Sequence, residues 1–328
     1  MPTIPPRRRL GRGGPEVSAI GYGAMGLSGV YGTADDAASQ QLLHDLLDLG
    51  VNFLDTADVY GEDGHNEKLI SALLARRRDE VVLATKFGAN KETGGGRPEY
   101  VRQAVEASLS RLGTDHIDLY YLHRLDRTTP IEDTVGAMGE LVAEGKIRYV
   151  GLSEISAKTL RRAHAVHPIT AVQQEYSLFT RDLEDEVLPA VRELGASLVA
   201  YSPLGRGVLT GAFTSASDVE NLEARSRRYP RFQEESLRRN IELTRPLREH
   251  ADALGVTPAQ LALAWLLAQG EEVLPIPGSR NLDRVRANVQ AADLDLAPDL
   301  VAELSARFPP GAAAGERYHP DGMSRLDR

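Results

Sequence analysis

Cysteine is absent from the 328 residues. That absence excludes a disulfide framework, a thiol nucleophile and a thiolate metal site, and it fits a reducing compartment. A metal would need His and carboxylate ligands, and no metal site is expected. The chain also lacks any apolar run near the roughly 20 residues needed to span a bilayer. Its start, Met1 to Arg9, is rich in Pro and Arg without the apolar stretch of a secretion signal. Nor is there a basic excess: 38 Lys and Arg against 47 Asp and Glu leave a formal charge of -9. A general nucleic-acid role is thereby disfavoured. These absences lead to the expectation of a cytoplasmic protein that engages neither membrane nor nucleic acid. The sequence carries no sign of oligomeric state.

What is present is a regular alternation. Eight short apolar, β-rich runs occur at 17–21, 51–54, 81–84, 117–122, 149–152, 171–173, 197–200 and 273–276. Between them lie helical patterns such as 35–49, 99–112, 131–144, 157–167 and 183–194, several closed by Gly50, Gly113, Gly145 or Gly195. Eight β/α repeats predict an α/β protein with a closed (β/α)8 TIM barrel, one domain over residues 1–328. A Gly-rich turn between extended runs at 9–17 reads as a hairpin able to plug the barrel's N-terminal end. The long interval after Leu204 holds an Arg- and Ser-rich stretch at 225–231, read as a flexible loop on the functional face. Helical patterns follow at 234–254 and 258–269. Two further helical stretches and a Gly/Ala/Pro tail end the chain.

Gly21-Tyr-Gly23-Ala-Met25-Gly26 matches a dinucleotide-binding fingerprint literally. Such a fingerprint must open a helix at its glycines. Here it runs into Leu27-Ser-Gly-Val-Tyr-Gly32, rich in turn residues, and the first convincing helix starts near Asp35. Close backbone approach in the first strand-to-helix loop is the better reading of these glycines.

In a (β/α)8 barrel, chemistry sits at the C-terminal strand ends. Asp55, Tyr60, Lys86 and His123 all fall there, after the second, third and fourth strands. Singly, each has a plain explanation as a helix cap, core or rim residue. Together they suit carbonyl reduction, because hydride arriving at carbon leaves an alkoxide that needs a proton from a weak acid. Tyr is such an acid, and a Lys held by a carboxylate would ease its ionisation. His123 could orient the carbonyl. After the eighth strand, Arg280 and Arg284 at i, i+4 spacing fall on one side of a short helix starting near Asn281. There, with Ser279, they could grip a phosphate; a solvated basic rim is the plain alternative.

Asp55-Thr-Ala-Asp-Val-Tyr60-Gly, Ala84-Thr-Lys86 and Tyr120-Tyr-Leu-His123 resemble the tetrad motifs of the aldo-keto reductase superfamily. The likeness continues through Gly151-Leu-Ser153, Gln173-Gln-Glu-Tyr-Ser-Leu178, Ala200-Tyr201-Ser202-Pro203-Leu204-Gly205-Arg-Gly207 and Ile276-Pro-Gly278-Ser279-Arg280 onward to Asn288. It implies NADPH as cofactor, a small carbonyl substrate, Tyr60 as proton donor, Lys86 and Asp55 as its tuning pair, and His123 as orienting group. It also implies a cofactor site drawing on Gly23, Met25 and Asp55. Ser153 and Gln173 would take the carboxamide, Tyr201 would stack on the nicotinamide, and Ser202 to Gly207 would line the pyrophosphate. Ile276, Gly278, Ser279, Arg280 and Arg284 would hold the phosphate end, with Asn288 at the adenine. Two positions depart from the family pattern: Glu154 stands where Asn is frequent, and Ala287 where an acidic residue is frequent. Gly23 to Ser28, Tyr229 to Gln233 and Ala314 to Tyr318 are most similar to bacterial members that reduce small or aromatic aldehydes. Substrate choice is assigned to Tyr22, Met25, the 225–232 stretch and the tail. Competing readings are a nucleotide-sensing regulatory subunit with little turnover, and a non-redox barrel enzyme using Lys86 as a Schiff-base amine.

Overall fold

An antiparallel hairpin opens the chain, with β1 (Arg7–Arg9) paired to β2 (Glu16–Ser18). The computed structural model describes residues 5–29, 32, 34–89, 94–219 and 222–327. Residues 1–4 of the opening segment, and residues 30 and 31 of the turn-rich run after the glycines, lie outside that description. Eight parallel strands follow in chain order: β3 (Tyr22–Gly23), β4 (Phe53–Asp55), β5 (Val82–Phe87), β6 (Ile117–Leu122), β7 (Ile147–Ser153), β8 (Ile169–Glu175), β9 (Ser197–Tyr201) and β10 (Val273–Pro275). Each pairs with the next. The ends of the sheet meet where Gly21 N donates to the Pro275 carbonyl at 3.0 Å and Gly23 N to that of Pro277 at 3.4 Å. The (β/α)8 expectation is met.

The glycines permit that closure. A Cβ on Gly23 would lie 2.9 Å from the Ile276 carbonyl oxygen, and one on Gly278 would lie 2.5 Å from that of Gly23. After Gly23 the chain makes a 3-10 turn, Ala24–Ser28, and the first α-helix begins only at Asp36, capped by the Asp35 side chain on Ala38 N. The fingerprint is therefore a strand-to-loop junction.

Three sequence expectations need correction, and one helix is added. The first barrel strand is Tyr22–Gly23 and not 17–21, because Val17 pairs with Arg8 in the hairpin while Ala19 and Ile20 pack against Leu263 and Leu267. A helix at His65–Arg77, not singled out in the sequence, completes the alternation; its buried Asn66 and Glu67 interrupt the apolar stripe of Leu69, Ile70, Leu73 and Leu74. The 234–254 pattern is two helices, Glu234–Leu243 and Arg245–Leu254, since Pro246 lacks an N–H and starts a new helix. The stretch read as a loop at 225–231 is ordered as a helix, Leu222–Arg228, and a 3-10 turn, Pro230–Phe232, that buries Arg231 and Phe232. Among the described residues no helix is long and apolar enough to cross a membrane.

The hairpin does plug one end. Leu10 and Val17 are fully buried with Phe53, Ala84, Leu119 and Leu274 inside the barrel. Gly11 N donates to Ser197 Oγ at 2.8 Å, at the first residue of β9. Arg8 donates to the carbonyls of Leu267, Gly270 and Val273 at 2.7 to 3.0 Å. This seals the end where strands begin and leaves the opposite end for chemistry. Leu10→Ala is expected to cost about 2 to 5 kcal/mol, as large-to-small core changes do, read as a lower urea midpoint at constant slope. A loss under about 1 kcal/mol would place the hairpin outside the cooperative core.

Candidate active site

Adjacent parallel strands bring the first pair together. Asp55 ends β4 in register with Ala84, so Lys86, two residues on, extends past it at the same rim. Lys86 is fully buried, and its ammonium donates to Asp55 Oδ1 at 2.5 Å, the Thr56 carbonyl at 2.7 Å and Tyr60 Oη at 3.3 Å. The second carboxylate oxygen of Asp55 accepts from Gln173 Nε2 at 2.7 Å. Tyr60 sits in a tight turn fixed by Tyr60 N on the Ala57 carbonyl and Asn66 N on the Tyr60 carbonyl. The Asn66 side chain ties this turn to the first loop, accepting from Thr56 Oγ1 and donating to the Ala24 carbonyl. His123 follows β6, and its ring meets Tyr60 edge-on at 5.9 Å between centroids, with its buried Nδ1 unpartnered.

The electrostatics follow from burial and neighbours. Burial favours neutral Lys86, but Asp55 and Tyr60 outweigh it and raise its pKa, so the ammonium persists. Burial also raises Asp55, against the pull of Lys86 and Gln173. For Tyr60, burial dominates: its pKa is raised even though Lys86 draws it down. The resting phenol therefore holds its proton more firmly than a free Tyr, with Lys86 drawing against burial. Burial, with Arg124 and Lys86 nearby, pushes His123 well below its ordinary value, so its imidazole is neutral.

Ser153, Gln173 and Tyr201 lie at the ends of β7, β8 and β9, with Ser153 and Gln173 in direct register. Glu154, the residue that departs from the pattern, stands just beyond Ser153 at a left-handed φ of 51°. Its carboxylate accepts from Tyr201 Oη at 2.8 Å, from Glu175 N at 3.0 Å, and from both terminal nitrogens of Arg317 at 3.2 and 3.1 Å. Tyr318 then meets Tyr201, hydroxyl to hydroxyl, at 3.0 Å. Beside this lies Glu175, paired with Arg206 at 2.6 Å and Arg231 at 3.2 Å. Burial works against its charge, yet Arg206, Arg317 and Arg231 prevail and hold its pKa at about 2. Asp327 closes the strap by accepting from Ser156 N and Oγ. The tail is thus bound across the ends of β7 to β9. Arg317 and Tyr318 fall in the tail to which substrate choice is assigned, but their pairing with Glu154 and Tyr201 carries no signal in the sequence, because no local pattern links positions more than 100 residues apart.

Farther along the rim, Ser202, Gly205, Arg206 and Gly207 all have positive φ, at 49°, 55°, 55° and 103°. This turn, with Pro203 and Leu204, follows β9 directly. Ile276 N donates to the Ala200 carbonyl at 3.0 Å, and Tyr22 Oη to the Ser279 carbonyl at 2.7 Å, so the first and last loops are joined. The helix Leu282–Gln290 is capped by Asn281 on Arg284 N; Arg280 and Arg284 are exposed at its start, and Asn288 is buried within it. Met25 is half-buried in the first turn. Two exposed guanidinium groups at a helix start, near a turn of left-handed residues after β9, suit the phosphates of a nucleotide.

The pattern of the Aldo/keto reductase family matches residues 19–307. The chain is 44% identical to the NADP(+) aldo-keto reductase yakc of Schizosaccharomyces pombe over 332 residues, covering 98% of this chain and 96% of that one. It is likewise 44% identical to probable aldo-keto reductase 1 of Glycine max, covering 95% and 91%. A crystal structure of a thermostable aldo-keto reductase in complex with the inhibitor epalrestat superposes with a TM-score of 0.74 at 30% identity, covering 92% of this chain and 99% of the other. The chain belongs to the aldo/keto reductase family of oxidoreductases.

Glu175 supplies a pH test. Its carboxyl, ordinarily at 4.5, is held at about 2 when folded, so its stabilisation is complete above about 4.5 and is lost as pH falls through 2. Glu175→Gln is expected to be less stable than wild type at pH 7 by about 3 kcal/mol, with the gap closing between pH 4.5 and 2. A gap independent of pH, by urea unfolding, would contradict this assignment.

Proposed function

We propose that the protein is an NADPH-dependent reductase that converts aldehydes or ketones to alcohols, with Tyr60 as proton donor. The observation that carries this reading is the hydrogen-bonded chain Asp55, Lys86 and Tyr60 beside neutral His123. When bound, NADPH would supply the hydride to the carbonyl carbon. Tyr60 gives its proton to the carbonyl oxygen as charge develops there. Lys86 steadies the phenolate left behind, and Asp55, locked by Gln173, keeps Lys86 charged and in place. His123, uncharged, orients the carbonyl.

Ser153 and Gln173 would hold the carboxamide, with Gln173 Oε1 as acceptor because its nitrogen serves Asp55. The face of Tyr201 would support the nicotinamide, its hydroxyl being fixed by Glu154 and Tyr318. Gly23 and Met25 with the 202–207 turn would flank the pyrophosphate. Ile276, Gly278, Ser279, Arg280 and Arg284 would receive the 2′-phosphate end, and Asn288 the adenine. The NADP(+) relative supports the choice of NADPH over NADH.

The direct experiment is NADPH oxidation with a panel of aldehydes, with the alcohol quantified against cofactor consumed. One-to-one conversion is expected; tight NADPH binding without turnover would favour a nucleotide sensor. Changing Arg280 and Arg284 together to Ala is expected to raise KM for NADPH at least about tenfold while NADH kinetics hardly move, given the strength of charge-assisted bonds. Equal losses with both cofactors would assign these arginines to the fold.

A further inference from the structure

Arg124, immediately after His123, has no role in the reading above. One of its terminal nitrogens donates to the His123 carbonyl at 2.6 Å and reaches Ser153 Oγ at 3.4 Å, pinning the guanidinium between the ends of β6 and β7. The rest of the fork donates to no other described residue, and the side chain is half-buried. The group lies in the field of Tyr60, Tyr201, Tyr318 and Glu154, the same groups that border the proposed reacting centre.

Five other partly or fully buried arginines are paired with carboxylates: Arg78 with Asp118, Arg111 with Glu67, Arg181 with Glu184, Arg231 with Glu175 and Arg317 with Glu154. Arg124 forms no ion pair among the described residues. The nearby acid, Glu154, is already engaged by both terminal nitrogens of Arg317. Burial works against the Arg124 charge and Glu154 with the nearby tyrosines outweighs it, yet none of them meets the fork directly; a planar fork matches a carboxylate in two-point geometry.

We propose that Arg124 receives an anionic group of the substrate, so that the enzyme prefers aldehydes or ketones that carry a carboxylate. This rests on the carbonyl-reductase reading and adds a substrate class to it. The carboxylate forms paired bonds to the free side of the guanidinium, while the carbonyl oxygen faces Tyr60 and His123. No covalent step is added, and the charge of Arg124 is balanced by the substrate.

The test compares kcat/KM for 3- and 4-carboxybenzaldehyde with that for the neutral 3- and 4-methylbenzaldehydes, all at saturating NADPH. Wild type is expected to favour the better carboxylated isomer at least about tenfold. Arg124→Met is expected to lower this ratio about tenfold or more, with Arg124→Lys, which keeps charge and loses the fork, in between. Independently of any variant, benzoate is expected to inhibit reduction of the neutral aldehyde competitively in wild type, and benzamide far less. The proposal is overturned if wild type shows no carboxylate preference and benzoate does not inhibit. It is also overturned if Arg124→Met lowers kcat/KM equally for both classes, the result of a structural latch, or raises KM for NADPH with the ratio unchanged, the result of a carboxamide contact. Absence of turnover with every aldehyde would overturn the carbonyl-reductase reading itself, and is distinct from turnover without preference.

Discussion

The ion pair of Lys86 and Asp55 is the constraint around which the rest of the site is arranged. Both side chains are sealed from solvent. Removing two charges from water is expensive, and the cost is offset only when geometry is good and every remaining donor and acceptor is used. Here the ammonium has three acceptors and the carboxylate two donors. Completing that set requires β4, β5 and β8 to end at the same height and the Tyr60 turn to be held down by Asn66. A single closed barrel, with its other end stoppered by the hairpin, provides that alignment.

A second cluster of buried charge lies beside the first. Glu154 and Glu175 draw in Arg206, Arg231 and Arg317, and through them the C-terminal tail. Tyr201 connects this cluster to the proposed cofactor site, since its hydroxyl is held by Glu154 and Tyr318 while its ring remains a flat surface. The Glu at position 154, which breaks the family pattern, is thereby explained: it anchors the tail. A carboxylate satisfied by arginine, tyrosine and a backbone N–H is not a substitute for an amide at the carboxamide.

Much of this was legible in the sequence because it depends on local order. The strand and helix alternation points to the barrel, and four polar residues at successive strand ends point to the cluster of Asp55, Tyr60, Lys86 and His123 that the fold brings together. The first strand was misplaced because Val17 to Gly21 is apolar for two reasons at once, hairpin plug and packing against the 258–267 helix, neither of which is barrel pairing. The helix at His65–Arg77 was passed over because Asn66 and Glu67, buried to staple the Tyr60 turn and to meet Arg111, look like surface residues in a pattern. Long-range partners were invisible: Glu154 could be flagged as unusual, but Arg317 lies 163 positions away. Arg124 carried no signal beside His123, and the upward displacement of Tyr60 could be seen only once its burial was known.

The central claim, that Tyr60 delivers the proton, is tested most directly by Tyr60→Phe, which removes one oxygen and keeps the ring. Steady-state reduction of an aldehyde and a fluorescence titration of NADPH would be measured on the same preparation. The account predicts a loss in kcat of at least about a hundredfold, the usual contribution of positioned acid catalysis, with NADPH affinity retained. A kcat within a few-fold of wild type would assign the proton to another group, and collapse of NADPH binding would make Tyr60 a structural residue; either result contradicts the account.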